Sequence, residues 1–193
     1  MSRRTMTDWL AGSHHQPGQV RAEWRERGIS VLPVGHRFDA VRLPEPLVHA
    51  AVHPAVHAAG APAGPCRAPA GTGLAGHLDG PVIHDGRGRT YYALVPPGTA
   101  TTWRAAAPGV TCLGPGTHLG VPAEGLLEYH PAHPVHWTAA TTRRRHCDPA
   151  SVALLVRAGT ARLAEAAGHP QGCSAGRPGL SPRARERPCG HLR

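Results

Sequence analysis

Apolar and polar positions alternate along this chain in patterns that predict a few short elements. In PGQVRAEWRERG, starting at Pro17, Val20 and Trp24 stand four apart among charged residues and Gly28 closes the segment, which predicts an amphipathic helix with a glycine C-cap. ISVLPV, Ile29 to Val34, is a β-branched apolar run and predicts a strand that ends near Pro33. LPEPLVHAAVHPAVHAAG puts prolines in a first turn, then Leu47, Val48, Ala51 and Val52, then Pro54; this predicts a helix that ends or kinks at that proline. Residues 1–16 show no comparable pattern and are expected to form a flexible N-terminus.

The stretch from Gly80 to Trp103 reads as architecture. Pro81 to Asp85 predicts a strand, Gly86-Arg87-Gly88 a turn and Thr90 to Val95 a second strand, together a hairpin. TATTWRAAAPG then predicts one or two helical turns with Thr99 as cap. VTCLGPGTHLGVP repeats the hairpin logic, with Val110 to Leu113 and Thr117 to Val121 on either side of a Gly-Pro-Gly turn. In CDPASVALLVRAGTARLAEAAG, Asp148 is placed to cap a helix that starts at Pro149 and sets Val152, Leu155 and Val156 on one face. Two segments are too rich in Gly, Pro and Ala to offset their ordering entropy: a predicted flexible insertion at 59–76 and a predicted disordered basic tail at 168–193. The expected fold is α+β, a single domain over 17–167. Its small, mainly antiparallel sheet is built from two hairpins and covered by helices around Trp24 and Leu155.

Composition changes this picture in one respect. The net charge is +9, and all 21 basic residues are arginine because the sequence holds neither Lys nor Asn. Such a surface attracts phosphates, although an Arg, Ala, Gly and Pro bias also follows from GC-rich coding. From Gly168 onward five Arg and one Glu leave +4, so much of the charge lies outside the predicted domain. Five cysteines without C-x-x-C spacing fit reduced thiols, and no stretch is apolar enough for a signal peptide or membrane span; a cytoplasmic protein is expected.

WRERGISVLPV, GRGRTYYALVPPG and CLGPGTHLGVP, in that order, resemble the bifunctional DNA primase/polymerase N-terminal domains. These form the prim-pol branch of the archaeo-eukaryotic primase superfamily, here of actinobacterial type, and the likeness spans roughly Trp24 to Pro122. The resemblance implies the fold and a nucleic-acid or nucleotide partner. It also implies a degenerate site, because the family's Asp-x-Asp or Asp-x-Glu metal pair is missing. VIHD ends in a lone Asp85, the segment where the family places a phosphate-contacting His reads Arg89-Thr90-Tyr91-Tyr92, and Thr111-Cys112-Leu113 stands where a further Asp belongs.

Other chemistry is thinly signalled. There is no G-x-S-x-G elbow and no Walker lysine, and Cys112 and Cys147 read as structural thiols. His49, His53 and His57 stand four apart but straddle Pro54, and His130, His133 and His136 alternate with prolines; surface imidazoles are the expectation, with no metal and no cofactor. Arg143, Arg144 and Arg145 form a basic run expected to lie in a solvated loop. The candidate phosphate contacts are Arg37, Arg42, Arg87 and Arg89, with Arg87 and Arg89 flanking a glycine at the hairpin tip. DNA or nucleotide phosphate is the expected partner and catalysis is not expected. The alternatives are an interaction domain without a ligand and residual metal-dependent nucleotidyl transfer.

Overall fold

The computed structural model describes residues 5–53, 71–139 and 144–168. Its elements are helices α1 (Met6–Ala11), α2 (Pro17–Arg27), α3 (Glu45–Val52), α4 (Gly71–Leu74), α5 (Thr99–Thr102) and α6 (Pro149–Gly168), with strands β1 (Ile29–Pro33), β2 (Asp39–Pro44), β3 (Val82–Asp85), β4 (Thr90–Val95), β5 (Thr111–Leu113), β6 (His118–Pro122) and β7 (Val135–Ala139). The fold is α+β. Five strands form one antiparallel sheet in the order β5-β2-β4-β3-β7, and β1 pairs antiparallel with β6 in a second sheet.

Side-chain alternation on the five strands builds two cores from one sheet. Val41 and Leu43 of β2, Val82 of β3 and Tyr91, Ala93 and Val95 of β4 face Leu47, Val48 and Ala51 of α3 and Val152, Leu155 and Val156 of α6. The intervening residues Ala40, Ile83 and Leu94 face the other way, toward Trp9 and Leu10 of α1, Val20 and Trp24 of α2, and Leu119 and Val121 of β6. Helices α3 and α6 therefore cover one face; α1, α2 and the two-stranded sheet cover the other. Two indoles tie the second sheet down, Trp24 Nε1 donating to Val121 O at 2.9 Å and Trp137 Nε1 to Pro122 O at 3.1 Å.

Several expectations hold at the level of single elements. Gly28 ends α2 in the left-handed region at φ 72°, and β3 and β4 form the predicted hairpin. Asp148 caps α6 by accepting from Ser151 N at 3.1 Å and Ser151 Oγ at 2.9 Å.

Other expectations are corrected. The second hairpin does not form: β5 pairs with β2 and β6 with β1, so Leu119 to Val121 lie outside the sheet that holds Tyr91 to Val95. The turn residues between them permit a reversal, but burial of Leu119 and Val121 against α2 decides their partner. The N-terminus is not flexible throughout, since α1 buries Trp9, Leu10 and Ala11 and is capped by Thr5. Gly98, at φ 87°, caps α5 instead of Thr99, whose hydroxyl donates back to Pro96 O at 2.6 Å. The end of the predicted insertion is ordered, with Leu74 of α4 fully buried; the rest of it, and the predicted tail apart from Gly168, lie outside the described residues. No helix among the described residues is long and apolar enough to cross a membrane.

Candidate anion-binding cleft

A cleft of about 670 Å³ opens where α1 ends. Gly12 terminates that helix, and Ser13 folds back, its hydroxyl donating to Leu10 O at 2.7 Å. The turn leaves His14 and His15 on the rim, with His14 Nδ1 accepting from Gln16 N at 3.1 Å. Across the opening, Gly35 adopts φ 103° in a tight turn closed by Gly35 N donating to Phe38 O at 2.8 Å. That turn presents His36 and Arg37.

Arg37 is held in place from two sides. Its Nε donates to Gly12 O at 3.1 Å, and its own carbonyl accepts from His146 Nε2 at 2.8 Å. The His146 ring meets Trp9 edge-on at 5.1 Å, and the Arg145 guanidinium lies 5.7 Å from the Trp9 ring centre. His146 is itself positioned by its neighbour, since Cys147 N donates to Leu94 O at 2.6 Å and Gly80 leaves no room there for a side chain. The cleft thus gathers one fixed guanidinium, four imidazoles, an indole edge and Pro97, and none of the described residues that line it is acidic. Such a lining offers hydrogen-bond donors and positive charge to an anion.

A second histidine group lies on the opposite face of the main sheet, beneath α3. His84 stacks on Tyr91 at 4.1 Å with planes 12° apart, and the Tyr91 hydroxyl lies 3.1 Å from His49 Nε2. His136 of β7 meets His84 edge-on at 5.2 Å. Burial, and then the His136 charge, push the His84 pKa down to about 4 despite Glu45 3.8 Å away, so near neutrality this contact is not an ion pair. Burial also lowers the His136 pKa. His49 and His136 are buried, contrary to the expectation of surface imidazoles; Tyr91 and the facing strand provide the cover. Among the described residues, no group of three or more His, Cys, Asp and Glu is arranged to hold a metal ion.

The four arginines singled out by sequence do not converge. Arg37 lines the cleft, while Arg42 is exposed on β2 opposite Tyr92 and Thr111. At the hairpin tip, the backbone N–H groups of Arg87 and Gly88 both donate to Asp85 Oδ1 at 3.0 Å, so they are already committed within the turn. Arg87 also donates to Pro131 O at 3.2 Å, and Arg89, at φ 48°, pairs with Glu45 at 3.4 Å. Arg144 pairs with Asp79 at 2.8 Å; Arg143 lies outside the described residues. Cys147 is buried with its pKa raised to about 12, and Cys112 is half-buried with its pKa raised to about 11, both by burial, which keeps them as thiols.

Sequence reasoning missed Trp9, His14, His15, His36 and His146 as a site. The available signal was the His14-His15 pair following a Trp-Leu-Ala run, but nothing local joins it to residues 36, 37 and 146. Comparison with protein families, with curated proteins and with solved structures finds no match to this chain.

Proposed function

We propose that this protein is a non-catalytic, prim-pol-like nucleic-acid or nucleotide-binding protein and that the cleft between α1 and the Gly35 turn receives the phosphate. The observation that carries this reading is Arg37. Its guanidinium is pinned through Nε, which leaves its terminal nitrogens to a ligand, beside imidazoles and without a competing carboxylate among the described lining residues. A pre-oriented guanidinium loses little freedom on binding, so more of each hydrogen bond appears as affinity. The non-catalytic part rests on Asp85: the family resemblance offers this one carboxylate at a strand end, and it is engaged in holding its own turn.

Fluorescence anisotropy with a labelled single-stranded DNA, and competition by free nucleotides, tests the reading. Arg37→Ala should weaken binding by about tenfold, the loss of one charge-assisted contact. The Arg87→Ala/Arg89→Ala pair should weaken it less. Absence of any binding by the native protein would overturn the proposal in favour of an interaction domain without a ligand, and equal losses in both variants would reduce the cleft to non-specific charge.

A further inference from the structure

We infer that the cleft selects a compact dianion, the terminal phosphate monoester of a nucleotide or of a phosphorylated strand end, and takes up protons as it binds. This inference rests on the cleft being the phosphate site proposed above. Its basis is the ratio of permanent to conditional charge. Among the described residues of the lining, Arg37 is the single permanent cation, against four histidines. A site for the running backbone of a strand needs a row of permanent charges, because each diester carries one fixed negative charge along a line. The other arginines singled out by sequence are dispersed instead, with Arg42 on β2 and Arg87 and Arg89 engaged at the distant hairpin tip. A monoester is different: it concentrates about −1.5 to −2 charges and three acceptor oxygens on one phosphorus.

The hydrogen bonds fix how the imidazoles respond. His14 Nδ1 lies 3.1 Å from Gln16 N and 3.4 Å from Gln16 O; in the tautomer that accepts from Gln16 N, Nε2 carries the proton and is a donor left for the ligand. His146 donates Nε2–H to Arg37 O, so its Nδ1 is a bare acceptor until it gains a proton. Placed against a dianion, Nδ1 of His146 meets oxygen lone pairs, and protonation converts that contact into a charge-assisted hydrogen bond. The His14 and His15 rings lie 4.2 Å apart, so two charges there repel unless an anion lies between them and their surroundings. Charges on the flanking elements do not cancel this response. Asp8 of α1 pairs with Arg21 at 2.7 Å, Arg145 is a further cation over Trp9, and Glu23 of α2 is engaged by Ser30 and Gln19.

Isothermal titration calorimetry with the full-length protein tests this directly. Four probes are compared: inorganic phosphate, a nucleoside 5′-monophosphate, and one short single-stranded DNA with and without a 5′-phosphate. Each is run in two buffers of different ionisation enthalpy. The 5′-phosphorylated strand should bind at least about tenfold more tightly than its 5′-hydroxyl twin, a difference of one or two charge-assisted contacts. The apparent enthalpy should differ between buffers in the sense of proton uptake, and His146→Gln, which keeps a donor for Arg37 O, should reduce that uptake. Tighter binding of the monophosphate than of the phosphorylated strand identifies a free nucleotide as the source; the reverse identifies a strand end. If both strands bind equally, or the enthalpy is the same in both buffers, the inference is overturned while the proposed function stands. If no probe binds, both fall.

Discussion

On the α1 side of the main sheet, His14, His15 and His36 border an open cleft, whereas on the α3 side His49, His84 and His136 are packed against Tyr91 and one another. Both groups combine imidazoles with an aromatic ring and an arginine. They differ in what surrounds them. The α3 group has Glu45 and a closed core, and burial there drives His84 toward its neutral form, so the rings behave as flat hydrophobic pieces that hold a helix to a sheet. The cleft group has solvent and, among the described residues, no lining carboxylate, which is why we propose its rings for an anion. Histidine count alone therefore says little; burial separates packing from recognition.

The largest test of this contrast removes the centre of the buried group. Tyr91→Ala should cost about 3–5 kcal/mol, the usual loss for a large core aromatic, and lower the melting temperature sharply. Tyr91→Phe keeps the stack but drops the hydroxyl near His49, at about 1 kcal/mol. Anion binding by the folded fraction should be unchanged in both; a parallel loss of binding would show that the two faces are coupled.

Acid is the next lever. Because the His84 pKa is lowered from 6.5 to about 4, the unfolded chain takes the proton first. The stability due to this group is complete above pH 6.5 and drains away as pH falls toward 4, by at most about 3–4 kcal/mol. His136 acts in the same direction. Urea unfolding between pH 7.5 and 4 should show this slope, and His84→Phe should flatten it. A slope unchanged by that substitution would place the acid sensitivity elsewhere.

In the cleft the effects on folding should be small and those on binding larger. Arg37→Ala should change stability by no more than about 1 kcal/mol while weakening DNA or nucleotide binding by about tenfold. Gly12→Ala is the finest probe. Gly12 has an ordinary helical backbone at φ −70°, so alanine is tolerated there, but its Cβ would come within 2.9 Å of Arg37 Nη2 and displace the guanidinium. A loss of affinity of about threefold with an unaltered melting temperature is expected, as for a small misplacement of a positioned group. Unchanged affinity would show that the orientation of Arg37 is irrelevant.

How much of this was legible in the sequence depended on whether the cause was local. The Gly28 cap, the Gly86-Arg87-Gly88 turn and the Asp148-Pro149 start each act within a few residues, and α2, the β3–β4 hairpin and α6 were readable from them. Helix α1 was not, because a six-residue segment gains its stability from burying Trp9 against Phe38 and His146, which no pattern near residue 9 announces. Strand β2 was hidden by Asp39 and Arg42, which interrupt its apolar run. Asp39 is nevertheless fully buried and accepts from Ala100 N at 2.8 Å. Strand β7 was hidden by the Pro- and His-rich run that leads into it up to Pro134 and His136, and the separation of β5 from β6 is decided by partners far along the chain. Of the cleft, sequence reading found Arg37 alone, since the remaining walls come from three distant segments.

That distance has a bearing on how the molecule comes into being. Trp9 and Gly12 emerge early in synthesis, yet the ring that closes on Trp9 belongs to His146, and the backbone that anchors it pairs with Leu94 through Cys147. Contacts of such long range form late, after the loop entropy between them has been overcome. During elongation, α1 and its apolar face wait uncovered on that side until residue 146, just before α6, has been made. The cleft then matures late, and a chain cut short before residue 146 would carry its first wall without its second.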